Sequence, residues 1–175
     1  PKQFISLFGD LSLFDLTLQR INNRDLFTKP IIVTSEEYRS FVEESLSKTG
    51  LEVESIILEP ESKNTFSALA LPVLASIKQN KEERYMVLPS DHYIPLNKSF
   101  YETCTKIKNL FRREALTLLG VLPDNPSIEY GYISTKSSNE ELKYVKSFIE
   151  KPKLDKAKEL LKQPDTLWNS GIFCF

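Results

Sequence analysis

Short apolar runs alternate along the chain with stretches in which apolar positions recur every three or four residues. The runs are "PIIVTS" from Pro30, "VESIILEP" from Val53, "YMVLPSD" from Tyr85, "LTLLGVLPD" from Leu116 and "YVKSFIEKP" from Tyr144. Each has the length and β-branched content of a strand. Between them, Tyr38, Phe41, Val42 and Leu46 share a helical face, with Thr34 and Glu37 placed for a capping box and Gly50 for a left-handed stop. Phe100, Cys104, Ile107 and Phe111 form a second stripe, which makes Cys104 a small core residue. The segment "NTFSALALPVLASIKQ" also reads as helix, with Pro72 expected to kink or divide it at about 3 kcal/mol if unrelieved. Late in the chain come a short helix, "LDKAKELLKQ", and an apolar segment, "WNSGIFCF". Strands separated by helices imply an α/β fold: a Rossmann-like, mostly parallel sheet flanked by helices, in one domain over residues 1–175. The chain opens on a loop and helix and stops on Phe175 inside an apparent strand, so the domain is expected to be incomplete at both ends.

Composition narrows the function classes. The 175 residues are 41% hydrophobic and 11% aromatic, enough for a sizeable core. The 23 basic and 24 acidic residues nearly cancel, so no broad basic surface for nucleic acid or an anionic membrane is expected. No apolar run approaches the roughly 20 residues of a membrane helix, and "PKQFISLFGD" lacks the features of a signal peptide. The only two cysteines, Cys104 and Cys174, have no metal-ligand spacing. A cytoplasmic location follows as the expectation.

In an open parallel sheet, ligands bind beyond the carboxyl ends of the strands. Those ends carry Glu59-Pro60, Pro89-Ser90-Asp91-His92, Pro123-Asp124 and Glu150-Lys151-Pro152. Acids gather where a cation or sugar hydroxyls could be held. Taken singly, each has a plain structural reading: Glu-Pro and Lys-Pro are loop punctuation, His92 is a structural residue and Trp168 belongs to a core. With one histidine in the chain and no G-x-S-x-G elbow, a serine hydrolase has little support.

Their order is more specific. "EPESKNTFSALAL", "VLPSDHYI", "YGYI", "FIEKP" and "WNSGIF" follow one another as in the sugar-phosphate nucleotidyltransferases, and the set resembles the bacterial mannose-1-phosphate guanylyltransferases, or GDP-mannose pyrophosphorylases. "PKQFISLFGDLSLFDLTLQRI" and "PIIVTSEEYR" extend the resemblance over essentially the whole chain. It implies transfer of GMP from GTP to mannose 1-phosphate with release of pyrophosphate, assisted by Mg²⁺. By the same resemblance Asp91 is the magnesium carboxylate and Lys2 lies near the nucleotide phosphates. Asn64 and Thr65 fall at the base, although Thr65 is equally placed for a helix cap. Gly131, Glu150, Lys151 and Asn169 face the sugar phosphate. Lys2, Asp91 and Lys151 are the catalytic candidates, GTP and mannose 1-phosphate are the partners, and a homo-oligomer is compatible with the sequence.

The chain departs from that pattern. The family's glycine-rich loop, G-G-x-G-x-R-x-x-P, is absent, as are the strand before it and a second metal aspartate beyond the equivalent of Phe175. Lys63 replaces a common arginine, and Glu129 replaces a glycine in the family's "TGYGYI". This length of chain is therefore expected to be impaired alone, with Ile31–Val33 and Met86–Leu88 lacking a shared neighbour. A non-catalytic module, or a transferase for another hexose 1-phosphate, stays open. Asp91 and Glu150 as a glycosidase pair would explain neither Lys151 nor the sheet.

Overall fold

The computed structural model describes residues 1–59, 64–79, 83–95, 97–110, 115–138 and 140–175, without the side chains of residues 7, 8 and 64–67. Its elements in order are β1 (Ser6–Phe8), β2 (Leu11–Ser12), α1 (Leu13–Arg20), β3 (Ile31–Ser35), α2 (Arg39–Thr49), β4 (Ser55–Glu59) and α3 (Asn64–Lys78). They continue with β5 (Met86–Val87), α4 (Lys98–Leu110), β6 (Thr117–Val121), β7 (Tyr132–Thr135), β8 (Val145–Ile149), α5 (Leu154–Leu161) and β9 (Thr166–Cys174). Contacts group them into two compact units, Pro1–Arg84 with Leu88–Asn109, and Tyr85–Val87 with Leu110–Phe175.

The first unit is built on a parallel pair. β3 and β4 run in register from Ile31 opposite Ser55 to Ser35 opposite Glu59. Phe14, Leu18 and Ile21 of the α1 region pack with Ile32, Val42 and Leu51, and Leu88 closes on the same cluster. Leu18 alone, 1% exposed, contributes about 1.5–3 kcal/mol by burial. α1 starts on a capping box in which Asp15 N–H donates to Ser12 Oγ and Ser12 N–H donates to Asp15 Oδ2. Lys48 on α2 donates to that same carboxylate at 3.1 Å and to the Asp10 carbonyl, tying the α1 start to the neighbouring helix.

In the second unit β9 is central. It pairs antiparallel with β5, β6 and β7, and β8 pairs antiparallel with β7. Tyr85 and Phe175 exchange two further backbone hydrogen bonds beyond the β5 end. Ala157 and Leu160 of α5 pack on Tyr132.

The α/β reading holds, with parallel pairing between β3 and β4. In the second sheet the strand direction differs from the expectation, because apolar patterning locates a strand without fixing which way it runs. β3 and β5 belong to different sheets, as expected. The capping box placed at Thr34 and Glu37 is a correction. Ser35 instead precedes a 3₁₀ turn at Glu36–Tyr38, and α2 starts without a side-chain cap. Gly50 does stop α2, at φ 65°, its N–H donating to the Leu46 carbonyl. Cys104 is buried as expected, whereas Phe111 lies outside the described residues. α3 runs through Pro72 as a single helix rather than two.

Candidate functional site

In a parallel pair both carboxyl ends point the same way, so the register brings Ser35 and Glu59 side by side. They form one wall of a cleft of about 280 Å³ whose lining includes Gln3, Thr34, Tyr38 and Ser90. The sequence neighbours of Gln3 and Ser90 are Lys2 and Asp91, and these two meet: Lys2 Nζ lies 2.8 Å from Asp91 Oδ2. Lys2 is largely solvated, with 74% of its side chain exposed, whereas Asp91 is 29% exposed. Partial burial pushes the Asp91 carboxyl up, but the hydrogen bond and charge of Lys2 outweigh it and hold the group below the usual carboxylate range. The same hydrogen bond raises Lys2 above the usual lysine value. His92 Nε2 stands 3.7 Å from Asp91 Oδ1.

Among the described residues no three His, Cys, Asp or Glu side chains cluster as a metal cage. Asp91 offers a carboxylate in contact with solvent, and Glu59 lines the adjoining cleft. That suits Mg²⁺, which takes one or two carboxylates and fills its other positions with water and phosphate oxygens. Of the remaining nucleotide-side candidates, Asn64 opens α3, but its side chain and that of Thr65 lie outside the described part, as does Lys63 altogether.

The second unit gathers the other candidates by strand register. Tyr132 at the start of β7 lies opposite Ile149 of β8 and Trp168 of β9, so the next positions outward, Gly131, Glu150 and Asn169, converge. The Asn169 N–H donates to the Gly131 carbonyl at 2.7 Å. A Cβ on residue 131 would stand 2.7 Å from Glu150 Oε2 and 2.9 Å from Phe148 Cζ, so glycine keeps this approach open. Asn169 Oδ1 already accepts from the Gly171 N–H, which leaves the amide as a donor through Nδ2. Lys151 is the one non-glycine residue with positive φ among those described, at 42°. A left-handed backbone in a lysine is strained and turns the chain sharply directly after Glu150.

The Trp168 ring lies 4.9 Å from that of Tyr130, tilted at 53°, and the partly buried side chain packs against the Tyr132 cluster. Its buried Nε1 nevertheless has no hydrogen-bond partner. Sequence reasoning missed Phe148 beside Gly131; it lies two residues before Glu150, on the same face of a strand of period two, which was the available signal. It also missed Arg20, whose type suggests surface and whose side chain is 0% exposed.

Comparison with known proteins adds the context for these groups. The model of the nucleotidyl transferase family matches residues 1–175. The chain is 36% identical to the alginate biosynthesis protein AlgA of Pseudomonas fluorescens, covering 100% of this chain and 37% of that protein. It is 34% identical to a mannose-1-phosphate guanylyltransferase of Sinorhizobium fredii, covering 99% and 34%. The chain thus spans about a third of the length of these curated relatives. A crystal structure described as mannose-6-phosphate isomerase from Helicobacter pylori superposes with TM-score 0.85 at 37% identity, covering 100% of this chain and 65% of that one. Among the described residues no helix is long and apolar enough to cross a membrane.

Proposed function

We propose that this chain, which belongs to the nucleotidyl transferase family, takes part in transferring GMP from GTP to mannose 1-phosphate in the cytoplasm, with pyrophosphate as the second product. The observation that carries the proposal is the Lys2–Asp91 pair beside a cleft at the carboxyl ends of two parallel strands. The reactants are both anions, so the protein must neutralise charge and hold an in-line geometry. A phosphate oxygen of the sugar phosphate forms the new bond at the α-phosphorus while the bond to the pyrophosphate oxygen breaks. Asp91 would hold Mg²⁺, which when bound supplies charge neutralisation across the phosphate oxygens. Lys2 then leaves the carboxylate and offers its ammonium to phosphate as a point charge. On the sugar side, Glu150 accepts from hydroxyls, Asn169 donates through Nδ2, Lys151 meets the sugar phosphate, and Gly131 admits the ring close to the backbone. Asn64 and Thr65 at the start of α3 complete the reading as base contacts.

The names of the relatives support GTP and mannose 1-phosphate as the first substrates to try. The test is pyrophosphate release with GTP, mannose 1-phosphate and Mg²⁺, run on the parent protein expressed from the complete open reading frame that encodes this chain, with Asp91→Ala made in that same protein. We expect product in the parent and a loss of about a hundredfold or more in the variant, in line with removing a group that stabilises transferred charge. No product with any of GTP, ATP or UTP, against mannose or glucose 1-phosphate, would overturn the transferase reading in favour of a binding module.

A further inference from the structure

Arg20 ends α1 and heads the fully buried side chains by volume, at 0% exposure. Among the described residues no carboxylate lies within ion-pair distance of it. Its guanidinium is instead held by the chain: Nε donates to the Ile94 carbonyl at 3.2 Å, Nη1 donates to Thr17 Oγ1 at 3.4 Å, and the group lies 5.6 Å from the centroid of the Phe100 ring on α4. Nη2 is buried without a hydrogen-bond partner. Burying a charge without a counter-ion costs several kcal/mol, and an apolar side chain of similar volume would pack there more cheaply. What such a side chain would lack is the directed donor to Ile94.

The identity of that acceptor gives the position its meaning. Ile94 belongs to the stretch 88–95, which has no helix or strand and carries Asp91 three residues earlier. A stretch without regular structure lacks the repeating backbone pairs of a helix or strand, so a side-chain donor to one of its carbonyls helps to fix it. Arg20 joins it to α1 through Thr17 and to α4 through Phe100, and a planar guanidinium fixes direction as well as distance. Asp91 pairs with a solvated lysine and lies near His92, and neither is as firmly seated as a residue with no exposure. We propose that Arg20 is a positioning residue: by holding the Ile94 carbonyl it fixes the stretch that presents the Asp91 carboxylate to a divalent cation. This rests on the metal role proposed for Asp91. It assigns Arg20 no contact with substrate or metal.

The test uses Mn²⁺ as the probe, followed by electron paramagnetic resonance, with backbone hydrogen exchange across 88–95 read in parallel. Arg20→Met keeps the length and removes the donors, and Arg20→Lys keeps the charge without the fork. Losing a group that orients a metal ligand weakens metal binding by about 10–100-fold, and we expect about tenfold for both variants, with faster exchange across 88–95 well below the melting temperature. The KM for mannose 1-phosphate should not move. If one variant fails to fold, the other carries the measurement. A lower melting temperature with parental Mn²⁺ affinity and parental exchange across 88–95 would overturn the proposal and leave Arg20 a packing residue. Asp91→Ala separates the two levels. If it leaves Mn²⁺ binding intact, the metal role of Asp91 falls, while exchange across 88–95 still decides whether Arg20 holds the stretch.

Discussion

The two units solve the placement of polar groups in different ways. In the first, Lys2 reaches Asp91 on a stretch without regular structure, and long-range donors such as Arg20 hold that stretch. In the second, the groups stand at the ends of paired strands, and their approach is set by volume, with Gly131 leaving room for Glu150 and Phe148. The first arrangement should respond to cations, salt and pH, the second to a single added methyl group.

The largest effect expected from that contrast is in the second unit. A Cβ on Gly120 would stand 2.5 Å from Leu167 Cδ1 and 2.9 Å from Leu167 Cβ. The Cβ cannot move without the backbone of β9, so Gly120→Ala should destabilise by about 1–3 kcal/mol, the usual range for overpacking. Chemical denaturation would show it as a lower midpoint with an unchanged slope. An unchanged midpoint would mean that β6 and β9 shift freely, and volume would then not be what organises this unit.

The division also marks what was legible in the sequence. β3, β4, β8, α2, α4 and α5 follow from apolar periodicity, and the Gly50 stop follows from its side-chain-free backbone. The Ser12–Asp15 capping box went unread because Asp is an uncommon partner in a motif sought as Ser or Thr followed by Glu or Gln. β7 leaves little trace in the sequence because its four residues, "YIST", are too few for an alternating pattern to stand out. Antiparallel pairing through β9 has no one-dimensional signature. The candidate groups were singled out by the family resemblance rather than by spacing alone, and the structure places Lys2 against Asp91, and Gly131 beside Glu150 and Asn169. Arg20 was invisible, because hydropathy assigns a charged side chain to solvent and only three-dimensional contacts reveal the exception.

A smaller effect sharpens the comparison within the second unit. At Gly131 the atoms facing a new Cβ are the far ends of Glu150 and Phe148, which can swing aside. Gly131→Ala should therefore leave the melting temperature nearly unchanged while displacing Glu150. On the proposed function this raises the KM for the sugar phosphate about tenfold, or about 1.4 kcal/mol. The same substitution chemistry thus divides into a stability effect at Gly120 and a binding effect at Gly131. If Gly131→Ala lowered stability as much as Gly120→Ala and left KM alone, Gly131 would be a packing glycine like its neighbour.

The smallest effect belongs to the charged pair, and its sign is the informative part. Lys2 occupies the carboxylate that a cation would need. Exposed ion pairs are worth about 0.2–1 kcal/mol, so Lys2→Met should strengthen Mn²⁺ binding by at most about fivefold even while it weakens the use of a nucleotide. Weaker metal binding in that variant would show that Lys2 helps to build the cation site rather than competing for it. The acid limb of the stability profile gives a second reading. Because Asp91 is held below its ordinary range, its contribution is present above that range and is lost as pH falls through the lowered value. Without Lys2 the upward push of burial is opposed less and the carboxyl moves back toward its ordinary value, so the part of the acid loss that Asp91 carries should shrink. No comparable move is expected from Gly131→Ala, since that substitution changes neither Lys2 nor Asp91.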